Sequence, residues 1–129
     1  MKKAIILSSL IVSILTACKS LNSNEKTYSK KEWTIAYKNF AVIQTLRKTG
    51  IDLNKDNSGA IQFEILGANT ETLKEIDSLS SIYSQSILSS PSYFEGKPII
   101  IMVLDLYNSK KLNNLACKSY KKTLSTAKH

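Results

Sequence analysis

Apolar residues recur along most of this chain at the three- and four-residue spacing of an α-helix. One such stripe lies between Ser29 and Gly50, and a second extends from Leu73 to Ile87. Ser29 and Glu32 have the spacing of a capping box, in which a hydroxyl and a carboxylate each bind a backbone amide at a helix start. The pattern predicts two long helices in these two segments.

Two other apolar segments are ambiguous by their spacing alone. Residues 60–66 are short, and the run at 99–104 is made of six consecutive apolar residues, for which intrinsic propensity favours a strand. No other segment alternates convincingly enough to be a partner strand, and a helix that is buried on all sides gives the same pattern. We therefore expect a short helix at 60–66, a helix at 98–107 in the centre of the molecule, and a bend or break at Asn108-Ser109. The predicted fold class is all-α, a compact bundle of four to five helices.

The N-terminal residues have the pattern of a bacterial export signal. Two lysines precede fourteen uncharged residues that end at Ala17, and this stretch is short for a membrane-spanning helix, which needs about 20 apolar residues. Because the stretch ends in the lipobox-like sequence Leu-Thr-Ala-Cys, we expect residues 1–18 to be a lipoprotein signal peptide, with lipid-modified Cys18 as the first residue of the mature chain. Ordinary signal cleavage after Ala17 is the alternative.

The rest of the chain divides into a polar tether at 19–28 and one predicted helical domain at 29–125. An aspartate directly after the cysteine would indicate retention in the inner membrane, but Lys19 occupies that position. The expected location is therefore the periplasm, with lipid attachment to the outer membrane.

The net charge of the full chain is +8, and Lys2 and Lys3 leave with the signal peptide. The positive charge is concentrated at the end of the chain, where residues 97–129 hold seven lysines and one aspartate. Nucleic acid is not an expected partner, because the chain has a single arginine and is exported. Two interpretations remain open, namely solvated lysine faces, or a surface for an acidic partner or an anionic lipid.

Residues for catalysis are scarce. The single histidine, His129, is the last residue, and Cys117 is the only cysteine apart from Cys18. We therefore expect no enzyme, no cofactor and no metal site, and we expect Cys117 either to be buried in a helix or to pair between chains. The segment at 52–63 resembles the start of a calcium-binding EF-hand loop, but its sixth position is not glycine and its twelfth is Phe63 rather than glutamate.

The segment at 88–97 contains two adjacent aromatic residues, Tyr93 and Phe94, between a proline and a glycine. Adjacent aromatic side chains in a loop either fold back onto the core or form a contact surface for a partner, since such residues dominate interface hot spots. The sequence leaves both alternatives open.

The run at 102–112 resembles the hallmark motif of the immunity proteins that protect against type VI secretion amidases. Weaker similarity to the same family extends over about residues 28–122 and includes Asn39-Phe40-Ala41 and Phe63-Glu64. The motif histidine is replaced by Asn108, and Thr45 and Val103 stand where the family commonly has two cysteines. The motif positions that match are Asp105, Leu106, Tyr107, Ser109 and Leu112.

This resemblance implies an all-helical, usually homodimeric protein that binds a peptidoglycan amidase delivered into the periplasm and blocks its active-site cleft. By position, the segment at 88–97 would be the protruding loop that contacts the toxin, with Ser92, Tyr93, Phe94 and Glu95 as its contact residues. The motif residues would have structural roles. The alternative function is a small outer-membrane lipoprotein that acts as an envelope assembly factor or adaptor.

Overall fold

The helical stripes of the sequence form six α-helices in the computed structural model, which describes residues 28–53, 58–66 and 69–126. No residue in these three ranges lies in a strand, and the prediction of an all-α bundle is confirmed. The helices are α1 (Lys30–Lys48), α2 (Ser58–Leu66), α3 (Thr70–Leu88), α4 (Pro91–Phe94), α5 (Ile99–Tyr107) and α6 (Lys110–Thr126).

Five of these helices were predicted, and the single-turn α4 lies where a loop was expected. The predicted signal peptide with Cys18, the tether as far as residue 27, and His129 lie outside the described residues. No helix within the described ranges is long and apolar enough to cross a membrane.

The ends of the long helices are set by local side-chain and backbone contacts. Ser29 Oγ accepts a hydrogen bond from the Glu32 amide at 3.2 Å, and Glu32 Oε2 accepts one from the Ser29 amide at 2.8 Å, so the capping box is complete. Asn69 Oδ1 caps α3 by accepting from the Thr72 amide at 3.0 Å. After α1, Gly50 turns the chain with φ of +90°, a conformation that glycine adopts without steric cost.

Helix α1 lies at the centre of the bundle and packs against α2, α3, α5 and α6. Its buried stripe follows the predicted three-and-four spacing and contains Trp33, Ala36, Tyr37, Phe40, Ala41 and Thr45. The cluster is completed by buried residues from the surrounding helices, namely Leu66, Ile76, Leu106, Leu112 and Ala116.

The prediction that α5 is the buried central helix is wrong. Among its nine residues only Val103 and Leu106 are buried, whereas Ile100 is 58% exposed and Leu104 is 48% exposed. Helix α5 packs mainly against α1 along one side, and its other side faces outward. An apolar run fits a half-exposed helix as well as a buried one, so the sequence alone could not distinguish them.

Helices α3 and α6 run antiparallel. Asn69 at the start of α3 donates to Thr123 Oγ1 near the end of α6 at 3.0 Å, and the Thr72 and Ser119 hydroxyls lie 3.2 Å apart. Further along, the Lys111 ammonium at the start of α6 lies 5.7 Å from the centre of the Tyr83 ring of α3. These polar contacts fix the register of the two helices beside α1.

Candidate binding surface

The segment with two adjacent aromatic residues forms a single helical turn that is closed by local hydrogen bonds. Ser90 caps α4 by accepting a hydrogen bond from the Tyr93 amide at 3.2 Å, and Pro91 occupies the first helical position. The turn ends at Gly96, which has φ of +86°, and the Lys97 amide donates to the Ser92 carbonyl at 2.9 Å. The Ser90-Pro91 pair, a capping residue followed by proline, is the sequence signal by which α4 could have been predicted.

Both aromatic side chains point away from the core. Phe94 is 76% exposed and Tyr93 is 36% exposed, and their ring centres lie 5.7 Å apart in an edge-to-face arrangement. Of the two alternatives left open by the sequence, Phe94 takes the exposed one, whereas Tyr93 is partly covered. The other two residues of the predicted contact loop, Ser92 and Glu95, are half-buried and exposed, respectively.

The outward side of α5 adds three more exposed apolar residues. At about 100° per residue, Ile100, Ile101 and Leu104 fall within one sector of about 100° on the helix, and the buried Val103 and Leu106 lie outside that sector. Together with Tyr93 and Phe94, these three residues are called the α4–α5 apolar surface below. Isolated exposed apolar residues are normal, but the concentration of five within residues 93–104 makes this segment the candidate contact surface.

A groove of about 350 Å³ lies between the C-terminal half of α3 and α5, next to the start of α6. Its lining is mainly apolar, with charged groups among the lining residues. Residues from all three helices and from the end of the α4 turn contribute, among them Tyr83, Ile87, Met102, Leu106, Lys97 and Lys111.

The motif residue Asp105 connects α5 to the α4 turn. Its carboxylate accepts a hydrogen bond from Lys97 Nζ at 2.9 Å, and both side chains are largely exposed. The neighbouring motif residue Tyr107 is half-buried, with Lys38 Nζ lying 4.1 Å from its ring centre. Both contacts hold one element against another.

The remaining motif residues lie at the junction between α5 and α6. Asn108 ends α5, and Ser109 Oγ accepts a hydrogen bond from the Leu112 amide at 3.1 Å, which caps α6. Leu106 is 7% exposed and Leu112 is fully buried in the core. The structure thus places all five motif residues in helix capping, packing or an ion pair.

Three acidic residues in the first half of α3 each contact a different partner. Glu71 pairs with Lys122 of α6, and Asp77 pairs with Lys48 of α1 at 2.8 Å. Glu75 is half-buried and accepts a hydrogen bond from the Tyr37 hydroxyl at 2.9 Å.

Burial and the adjacent carboxylate of Glu75 raise the pKa of Tyr37 well above its usual range. Both effects disfavour a negative charge on the phenol, so Tyr37 stays neutral and acts as a hydrogen-bond donor inside the bundle.

No group of three His, Cys, Asp or Glu side chains in the described ranges could hold a metal ion. Cys117 is half-buried on α6 with a free thiol. Within the EF-hand-like segment, residues 54–57 lie outside the described ranges.

Sequence reasoning identified the aromatic pair but missed the exposed side of α5 and the groove beside it. Neither feature has a local signal, since both depend on which side of α5 meets α1. Comparisons of this chain with models of protein families, with curated proteins and with solved structures found no match.

Proposed function

We propose that this protein is a periplasmic immunity protein that binds a peptidoglycan amidase delivered by type VI secretion and blocks its active-site cleft. The observation that supports this best is the exposed Tyr93–Phe94 pair on the helical turn that precedes α5. The motif resemblance at 102–112 and the predicted export signal support the same proposal.

The turn that carries the aromatic pair is suited to insertion into a cleft. Its conformation is set by the Ser90 cap, by Pro91 and by Gly96, which ends the turn with a positive φ. A binding element that is already ordered loses little conformational entropy on association, so more of the contact energy appears as affinity.

The exposed apolar area around the turn provides the remaining contact. Phe94 is 76% exposed, and Ile100, Ile101 and Leu104 add exposed apolar side chains on the next helix. Aromatic side chains surrounded by polar groups are typical of the residues that dominate binding energy, and here Glu95 and Lys97 are the polar neighbours. The binding mechanism is steric occlusion, which requires no catalytic group in the inhibitor.

The experiment compares two matched phenylalanine variants. Phe94→Ala removes the most exposed aromatic residue of the α4–α5 apolar surface, whereas Phe63→Ala removes a 54% exposed phenylalanine from α2, a helix that packs against α1 and α3. An amidase encoded beside this gene is the protein to test, by calorimetry and by hydrolysis of purified peptidoglycan. We expect Phe94→Ala to weaken inhibition by about 30-fold or more, equivalent to a hot spot of about 2 kcal/mol, and Phe63→Ala to leave it unchanged.

Equal inhibition by both variants would contradict the role of this surface. Deletion of the gene should also sensitise cells to amidase delivered by their kin, and full resistance without it would refute the immunity function. Co-purification with an envelope assembly complex and with no cell-wall hydrolase would instead favour the adaptor function.

A further inference from the structure

The lysines of α6 lie on one side of the helix. The helix contains Lys110, Lys111, Lys118, Lys121 and Lys122, all of them exposed. At about 100° per residue these five positions fall within a sector of about 120°. The buried residues Leu112, Ala116 and Ser119 occupy a separate sector that faces the core. The five lysines are called the α6 lysine face below.

This face is little neutralised by nearby acids. Helix α6 itself contains no aspartate or glutamate. Of its five lysines, only Lys122 forms an ion pair with a carboxylate, that of Glu71, within the described part of the chain. A concentration of unneutralised lysines produces a positive local potential that attracts an anionic surface.

The chain enters the bundle beside this same helix. The Tyr120 hydroxyl of α6 lies 3.5 Å from the carbonyl oxygen of Tyr28, the first described residue, and the rings of Tyr120 and Trp33 lie 6.3 Å apart. Nine residues separate Cys18 from Tyr28. Fully extended, nine residues span about 30 Å, so a lipid at Cys18 would confine α6 to within reach of the membrane surface.

We propose that the α6 lysine face lies against the anionic phospholipid headgroups of the membrane to which the N-terminus is tethered. Each lysine near such a surface contributes to attraction that decays within about one Debye length, about 8–10 Å at moderate ionic strength. The arrangement orients the domain with α6 towards the bilayer. This inference rests on the charge distribution, on the position of Tyr28 and on the lipid predicted at Cys18, and it is independent of amidase binding.

The test uses the unacylated chain from Lys19 to His129, which contains all six helices and the whole packed core described above. Sedimentation with vesicles of phosphatidylcholine and phosphatidylglycerol measures binding without a contribution from the lipid anchor. Lys118→Gln/Lys121→Gln removes two charges from the α6 lysine face, and Arg47→Gln/Lys48→Gln removes two charges from the last turn of α1 as a matched control. Both control residues are exposed, so their substitution affects stability little.

We expect binding to the anionic vesicles and none to pure phosphatidylcholine, with affinity that falls steeply as salt rises from about 0.05 M to about 0.5 M. The affinity of the α6 variant for the vesicles should fall by about 10-fold or more, and that of the control variant should stay within about 2-fold of the unmodified chain. No binding to anionic vesicles, or equal loss in both variants, would overturn the proposal. If soluble polyglutamate, at an equal concentration of negative charge, displaces the protein from the vesicles, the α6 lysine face is a site for an acidic polypeptide. That result would also overturn the proposal.

Discussion

Helices α1 and α5 use their apolar residues in different ways. Helix α1 carries charged residues at both ends and in its middle, yet six of its residues are buried and it contacts four other helices. Helix α5 is almost wholly apolar, yet it buries two of its nine residues. The more polar helix is therefore the centre of the fold, and the more apolar helix lies at its side.

The difference shows that burial depends on position in the bundle and not on the apolar content of a segment. A narrow apolar stripe is enough for α1, because neighbouring helices cover it along its whole length. The outward side of α5 has no cover within the described residues, so its apolar side chains are available for a partner. Five substitutions, described in order of expected effect, test this contrast.

The largest effect is expected for Trp33→Ala on α1. Trp33 is 4% exposed and its ring packs near Tyr120, so removal of the side chain leaves a large cavity in the core. We expect the free energy of unfolding to fall by about 3–5 kcal/mol, measured by urea denaturation followed by circular dichroism. A loss below about 1 kcal/mol would contradict the central position of α1.

Two leucines on α5 provide a contrast within one helix. Leu106 is 7% exposed and Leu104 is 48% exposed, although they lie two residues apart. We expect Leu106→Ala to lower the free energy of unfolding by about 2–4 kcal/mol and Leu104→Ala to lower it by less than about 1 kcal/mol. If urea denaturation gave equal losses of unfolding free energy for the two variants, both sides of α5 would be buried.

Tyr37→Phe tests the hydrogen bond by which α1 contacts the half-buried Glu75 carboxylate. Loss of the hydrogen bond to Glu75 should lower the free energy of unfolding by about 1–2 kcal/mol near neutral pH. Because the folded protein holds the pKa of Tyr37 above its unfolded value of about 10, the unfolded chain releases this proton first as pH rises.

The stabilising contribution of Tyr37 is therefore complete below about pH 10 and is lost as pH rises above it, by about 1.4 kcal/mol per pH unit. The difference in unfolding free energy between the wild type and Tyr37→Phe isolates this contribution from the other tyrosines and lysines. We expect that difference to shrink above about pH 10. A difference that stays constant to about pH 11 would contradict the neutral, hydrogen-bonded tyrosine.

The smallest effect is expected for Lys97→Ala, which removes the ion pair between the α4 turn and α5. The two side chains are 39% and 67% exposed, so water and salt weaken their attraction. We expect the unfolding free energy to change by less than about 0.5 kcal/mol. A change above about 1.5 kcal/mol would show that the contact between the α4 turn and α5 contributes to the stability of the whole bundle.

Local signals in the sequence determined the helices themselves. The Ser29–Glu32 capping box, Asn69 and Gly50 each act on backbone groups within a few residues, so their effects can be predicted without knowledge of the rest of the chain. The spacing of apolar residues likewise predicted which sides of α1 and α3 are buried.

The aromatic pair at 93–94 was also identified from the sequence, but its exposure was not. Whether an aromatic side chain in a turn meets the core depends on the direction in which the turn leaves α3. The Ser90 cap and Gly96 set that direction in the folded chain.

Only the tertiary structure decided which helix is central and which apolar residues stay exposed. Ile101 and Val103 have similar side chains in one helix, yet Ile101 is 44% exposed and Val103 is 1% exposed. A run that is apolar on every side contains no information about which side meets a neighbour, because helical spacing marks a buried side only by contrast with polar residues. Packing against α1 supplies that information, and with it the apolar surface on which the proposed function depends.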